Sequence, residues 1–289
     1  YLKKNIQIRS MEQSTEYQEP KVSLLLLLHD RYVMTQYCLE NLISKIGDND
    51  YELLILDNGS KDLRAYEFAC KLKAAEQNRI MASSDQLSPE AKELLVSSID
   101  QYTKIKVYRN EENKGIAAGY NKLLKEAKGE FICFIPNDIL VGDNWLKDLM
   151  FYNSQIDKSG FTSIHCEGDK GSFGPLLNHD DTFSNVWKCK NNVTTGISLI
   201  NREALSFVGS FDELLGLYGR EREHMAVRLS MAGYHNYYVP GQFSTHIGRE
   251  INESEYKNMK DVAVKRSAPR YENTLREMKK EKNYYIPLP

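Results

Sequence analysis

No two cysteines of this sequence stand at Cys-x-x-Cys spacing; the five present (Cys38, Cys70, Cys133, Cys166, Cys189) are odd in number and widely separated. That argues against a disulfide scaffold or a thiolate zinc site, and for reduced thiols in a reducing compartment. No charge of either sign dominates: 38 Lys+Arg against 40 Asp+Glu leave a formal net charge of −2. With no basic stripe, a nucleic-acid partner is not expected. Long apolar runs are missing too. The longest, Leu24 to Leu28 with Val22 just before it, falls far short of the roughly 20 residues that cross a bilayer. No transmembrane segment is therefore expected, although peripheral membrane contact stays open. No signal-peptide pattern, internal repeat or low-complexity tract is visible, so a cytoplasmic protein is the expectation. Finally, no Gly-x-Gly-x-x-Gly follows the first apolar run, where His29-Asp30-Arg31 stands instead. A dinucleotide-dependent dehydrogenase is thereby set aside.

What is present is an alternation. At 289 residues with 41% hydrophobic content, the chain can form one large α/β domain or two modest ones. Val22–Leu28 and Tyr51–Leu56 are continuous apolar runs, the pattern of strands buried on both faces. Ile105–Tyr108 and Phe131–Ile135 read as two more strands. Between them, apolar residues at helical spacing predict helices over 33–46, about 62–76 and 116–128. Ser88-Pro89-Glu90 opens another helix inside an apparent insertion at about 78–103, with proline at the first helical position. Asp143 is placed to cap a helix starting near Trp145. Farther on, Val193–Ile200 and Tyr234–Val239 read as strands, the latter ended by Pro240-Gly241, with helices over Arg202–Val208 and Glu221–Ala232. Residues 1–20 read as a polar arm and 251–289 as a charged, helical extension. That extension, with Tyr284-Tyr285-Ile286 near its end, can pack on the domain or on a second subunit. Strand–helix alternation implies a mostly parallel central sheet flanked by helices.

Three of the apolar strands end in an aspartate: Asp30, Asp57 and Asp138. In open parallel sheets, ligands bind outside the carboxyl ends of the strands. Carboxylates there can hold a hydroxyl or a hard cation, although Asp and Asn also simply begin loops.

The segments VSLLLLLHDR, ELLILDNGSKD, VYRNEENKGIAAGYNKLLKEAKGEFICFIPNDILVGDNWLKDL and TTGISLINREALSFVGSFDELLGLYGREREHMAVRLSMAGYHNYYVPGQFSTHIG, in this order, resemble the family 2 glycosyltransferases. The likeness covers roughly residues 21–248, minus the insertion. It implies a GT-A fold over about 21–250, with a nucleotide-binding half near 21–142 and an acceptor half near 143–250.

The resemblance also implies roles. Asp57 would contact the nucleotide base, with His29, Asp30 and Arg31 as further base contacts. Lys114 and Gly115 of the Asn-Lys-Gly turn would lie beside the ribose and diphosphate, at a helix start suited to anions. Asn137 and Asp138 fall on the family's metal-binding Asp-x-Asp, whose first carboxylate is replaced by Pro136. Asp138, and His246 after the last core strand, would then ligate Mn²⁺ or Mg²⁺, with diphosphate oxygens and water completing the shell. Glu221 falls on the catalytic base of an inverting transfer, beside Arg220, which stands in place of an acidic residue and can bind an anionic acceptor. An acidic residue also suits any helix's first turn. Thr195 and Gly196 match the strand beneath the acceptor site. Trp187 can stack on a sugar or belong to the core. The implied donor is a UDP, GDP or dTDP sugar, and the implied acceptor a hydroxyl of a glycan, lipid-linked saccharide or other molecule. The alternative is a catalytically silent nucleotide-sugar-binding protein of the same fold, motivated by Pro136 and Arg220.

Overall fold

The computed structural model describes residues 20–167, 176–179, 187–189, 196–249 and 254–289. Residues 1–19, the expected arm, and Thr195 lie outside them.

The first half alternates as the apolar pattern requires. In chain order come β1 (Val22–Leu28), α1 (Tyr32–Lys45), β2 (Tyr51–Asn58), α2 (Arg64–Ser83), α3 (Pro89–Tyr102), β3 (Ile105–Asn110), α4 (Ile116–Glu126), β4 (Phe131–Pro136), β5 (Ile139–Val141) and α5 (Trp145–Gln155). Strands β3-β2-β1-β4 lie side by side and parallel. Helices cover both faces, which explains why these strands read as unbroken apolar runs. In β1, Leu24, Leu26 and Leu28 pack toward Cys38, Leu39 and Leu42 of α1. Leu25 points the other way, toward Ala117, Tyr120 and Leu123 of α4. Helix α3 starts as its sequence signals: Ser88 accepts from the Ala91 amide at 3.3 Å, with Pro89 in the first turn. The expected insertion is therefore the end of α2 followed by α3.

The second half contains β6 (Ser159–Glu167), β7 (Leu176–His179), β8 (Trp187–Cys189), β9 (Ser198–Asn201), α6 (Arg202–Val208), α7 (Glu221–Met231), β10 (His235–His246) and α8 (Ser254–Glu281). Short 3₁₀ turns span Glu213–Leu215 and Ile247–Arg249. The ten strands form one sheet in the order β3-β2-β1-β4-β9-β6-β10-β8-β7, with β5 added against β10. Strand β9 runs antiparallel between β4 and β6, and β6 and β10 are parallel again. The result is a mostly parallel central sheet flanked by helices.

Two local expectations are corrected. Strand β10 does not stop at Pro240-Gly241: it runs to His246, and a break in register between Tyr238 and Phe243 absorbs the dipeptide. A proline cannot donate to the ladder, and an irregularity is where a strand tolerates one. Asp143 does not cap α5. Asn144, left-handed at φ 60°, is the residue before the helix and makes no side-chain cap, while Asp143 pairs with Lys45 at 2.6 Å.

The charged C-terminal extension packs on its own domain. Ile286 pairs in parallel with Gly209: the Ser210 amide donates to the Ile286 carbonyl at 2.7 Å, and the Ile286 amide to Val208 at 3.0 Å. Beneath this pairing lies the fully buried Arg228 of α7, which donates to the carbonyls of Val208 (2.5 Å), Ser210 (2.7 Å) and Tyr284 (3.4 Å). Burial pushes the Arg228 guanidinium down to about 9, with Asp212 opposing.

Candidate active site

Parallel strands bring their carboxyl ends to one edge. The registers place Leu28 beside Asp57, Asp57 beside Arg109, and Leu27 beside Pro136. Asp57 has no exposed surface. One of its oxygens accepts from the Ser60 amide at 3.2 Å and from the Ser60 hydroxyl; the other pairs with the Arg109 guanidinium. Arg109 also lies over the Tyr66 ring, 5.6 Å from its centre. From solvent, this edge presents Arg109, with Asp57 fully covered behind it. Sequence reading misses Arg109, although the strand register carries the signal: a cation at the end of the third parallel strand faces the aspartate of the second.

Asp30 is tied into the same edge. Its amide donates to the Ser60 hydroxyl at 2.7 Å, and one carboxylate oxygen takes the amides of Lys61 and Asp62 at 2.9 and 3.0 Å. His29 approaches the other oxygen at 3.7 Å. Asp30 and Arg31 are both left-handed, at φ 53° and 57°, a region that non-glycine residues occupy sparingly. The double turn ends β1 and sends Arg31 toward Asp138, with Nη1 3.5 Å from Oδ2.

Asp138 follows β4 and is 8% exposed. Strands β5 and β10 pair with His246 opposite Ile139, and the Ile247 amide donates to the Asp138 carbonyl at 2.9 Å. This brings His246 Nε2 to 3.3 Å from the same Oδ2 that faces Arg31. Two residues distant in sequence are thus joined by one short antiparallel ladder. Asn137 is engaged elsewhere, donating to Thr35 Oγ1 of α1 at 2.8 Å. Gly248 packs closely against this pair: a Cβ there would lie 2.5 Å from Asp138 Oδ2 and 3.2 Å from Arg31 Nη1. Among the described residues, no group of three His, Cys, Asp or Glu side chains converges to hold a metal.

The expected base sits on α7. Glu221 is the first residue of that helix, 5% exposed, and accepts from the Gly219 amide at 2.6 Å. Tyr218, the residue just before Gly219, registers the whole crevice. Burial pushes its hydroxyl up to about 12, the charges of Glu221 and Asp138 add to this, and Arg222 and Arg31 oppose. Arg222 donates to the carbonyl of Gly196, which fixes that buried glycine beside the helix start. Arg220 leaves the crevice: it pairs with Glu223 and lies over Tyr271 of α8, 4.3 Å from the ring centre.

Helix α4 begins at Gly115, left-handed at φ 89°, where a Cβ would meet the Gly216 carbonyl at 2.7 Å. Asn58 holds this turn through the Lys114 amide (3.2 Å) and the Gly115 carbonyl (3.0 Å). The Ile116 amide is used by the Leu217 carbonyl at 3.2 Å, and the Lys114 ammonium by Glu112. Trp187 falls on β8, but its side chain lies outside the described part.

Known proteins share this chain's sequence or fold to differing degrees. The putative glycosyltransferase EpsH of Bacillus subtilis (strain 168) is 26% identical over 131 residues, 45% of this chain and 30% of that protein. The chain thus spans less than a third of this curated relative. A crystal structure of GalNAc-T7 with UDP, GalNAc and Mn²⁺ superposes with a TM-score of 0.56 at 17% identity, covering 80% of this chain and 44% of the other. The mannosyltransferase PcManGT from Pyrobaculum calidifontis, in complex with GDP-Man and Mn²⁺, gives 0.55 at 15% identity, covering 83% and 60%. At such identities the likeness is one of fold, the GT-A fold. The family itself rests on sequence: the glycosyl transferase family 2 model matches residues 23–209, well over half of the chain, and the protein belongs to that family.

Proposed function

We propose that this chain transfers a sugar from a nucleotide-diphosphate donor to an acceptor hydroxyl, with inversion at the anomeric carbon and Glu221 as the base. The observation that carries this reading is structural: Arg222, the neighbour of Glu221, holds Gly196 just ahead of β9, and β9 pairs with β4, the strand that Asp138 follows. A donor's diphosphate fits against the Asp138 side and an acceptor against the α7 side, with the transferred sugar between.

The chain's own groups divide the work. Arg109, backed by Asp57, faces the base position, and the turn at Lys114-Gly115 borders the ribose. The Gly219 amide orients the Glu221 carboxylate. From there it can take the acceptor's proton as the hydroxyl attacks the anomeric carbon and the bond to the diphosphate breaks. A divalent ion of the kind both neighbours carry would find Asp138 Oδ2 and His246 Nε2, 3.3 Å apart, as adjacent donors. That pair fits a two-donor edge in a shell completed by diphosphate and water, where the ion would offset leaving-group charge. A UDP, GDP or dTDP sugar is the proposed donor, a glycan or lipid-linked hydroxyl the proposed acceptor, and the cytoplasm the proposed location.

The experiment measures donor hydrolysis and sugar transfer by the wild type, Asp138→Ala and Glu221→Ala, across UDP, GDP and dTDP sugars. Turnover by the wild type and its loss in both variants is the expected result. Activity surviving both substitutions overturns the mechanism. Wild-type nucleotide-sugar binding without any turnover favours the silent-protein alternative, which Pro136 at the first carboxylate position supports.

A further inference from the structure

The pairing of Arg31 with Asp138 is unusual in its construction. It stands at the end of two successive left-handed residues, Asp30 and Arg31. Such backbone is unfavourable for non-glycine residues and persists where the surroundings enforce it, often at functional sites. The enforcement is visible: Ser60, Lys61 and Asp62 all hold Asp30. What that bracing delivers is a guanidinium, its side chain 17% exposed, at 3.5 Å from the carboxylate best placed to bind a metal. The Gly248 backbone lies so close to both groups that any side chain there would press on them.

The charges explain the arrangement. A site made of carboxylates alone repels a diphosphate until a divalent ion cancels them. Here Asp138 is already paired with a guanidinium and flanked by an imidazole. That set is close to neutral before any ion arrives. A guanidinium also matches phosphate oxygens in a bidentate fork, which a compact ammonium cannot do.

We propose that Arg31 is a diphosphate-binding residue: parked on Asp138 in the free protein, it turns onto the donor's diphosphate, so that nucleotide diphosphates bind without a divalent ion. This rests on the reading of the chain as a nucleotide-sugar transferase. Asp138 then has two partners in succession, the guanidinium when the site is empty and an ion when the diphosphate has drawn the guanidinium away.

The test is titration calorimetry on the full chain with UDP, GDP and dTDP, and with the matching nucleosides, once in EDTA and once with Mn²⁺. Wild type, Arg31→Ala, Arg31→Lys and Gly248→Ala are compared, with thermal melts as the folding control. One nucleotide diphosphate is expected to bind in EDTA within about tenfold of its affinity with Mn²⁺. Arg31→Ala should weaken that binding by about tenfold to a hundredfold, the range of a charge-assisted hydrogen bond. Nucleoside binding should not change, and Arg31→Lys should recover part of the loss. Gly248→Ala crowds the parked pair without removing charge; it should free the guanidinium and strengthen binding in EDTA, and it serves if Arg31→Ala misfolds, unchanged or weaker binding counting against the parked state. Binding that requires Mn²⁺, or that is equal in wild type and Arg31→Ala in EDTA, overturns the inference while the transferase reading stands. No nucleotide binding under either condition overturns both.

Discussion

Two helices border the crevice, and each is entered through an arginine in the left-handed region: Arg31 before α1 at φ 57° and Arg220 before α7 at φ 60°. The local backbone is nearly the same, yet the side chains go opposite ways. Arg31 turns inward to Asp138, with 17% of its side chain exposed. Arg220 turns outward, 41% exposed, onto Glu223 and the Tyr271 ring. The difference lies in what each helix start faces. Arg31 looks across the crevice at a carboxylate on the neighbouring strand end. Arg220 has α8 beside it, which offers an aromatic face and a hydroxyl, Tyr271 donating to Glu223 at 3.2 Å. One arginine points at the ligand side; the other joins the C-terminal helix to the helix that carries Glu221.

The inward side should dominate chemistry. Glu221→Gln is expected to lower transfer by about a hundredfold to ten-thousandfold, the usual worth of a general base, while calorimetric donor affinity stays within about twofold. A comparable loss of donor affinity would mean that Glu221 acts in binding.

The outward side should dominate stability. Arg228→Met strands the carbonyls of Val208, Ser210 and Tyr284, which should cost about 2–3 kcal/mol in urea unfolding with nucleotide affinity unchanged. Equal stability would show that the tail docks without it.

Acid should find the same side. His224, on α7 one turn after Glu221, is fully buried, and neither ring nitrogen has a hydrogen-bond partner. Burial first, and the charge of Arg228 second, push its pKa down to about 3 from the ordinary 6.5. The unfolded chain therefore binds one more proton than the folded chain between these values. Stability is held above about pH 6.5 and lost as pH falls toward 3, by up to roughly 1.4 kcal/mol per unit. Urea titrations at pH 7, 6 and 5 should show His224→Phe losing less than the wild type. Parallel losses would mean that the ring accepts its proton while folded.

The smallest effect is reserved for Arg220. An exposed ion pair and a cation–π contact are worth about 1 kcal/mol together, so Arg220→Ala should lower the melting temperature slightly and nucleotide binding not at all. A loss of nucleotide affinity like that expected for Arg31→Ala would erase the contrast between the two arginines.

How much of this was legible depended on whether the cause was local. The runs at 22–28, 51–56 and 131–135 gave away their strands because burial on two faces leaves no alternation to confuse them. The order of the motifs led to the family that the comparison bears out. The resemblance points to Asp138 and His246 together, and the β5–β10 ladder sets them side by side. What stayed hidden depended on contacts distant in sequence. Arg109 reaches Asp57 only through the β2–β3 register, Asn137 finds Thr35 only because β4 lies against α1, and Arg220 finds Tyr271 only once α8 has docked. Strand β10 hid its length behind Pro240-Gly241, since a break in register leaves no mark on composition.

Ser60 gives these parts a common joint. Its hydroxyl accepts from the Asp30 amide while donating to Asp57, so the proton on that oxygen has one place to point. Through Asp57 it reaches Arg109, and through Asp30 the backbone that aims Arg31. One hydroxyl thus fixes in the same place the aspartate that pairs with Arg109 and the turn that carries Arg31.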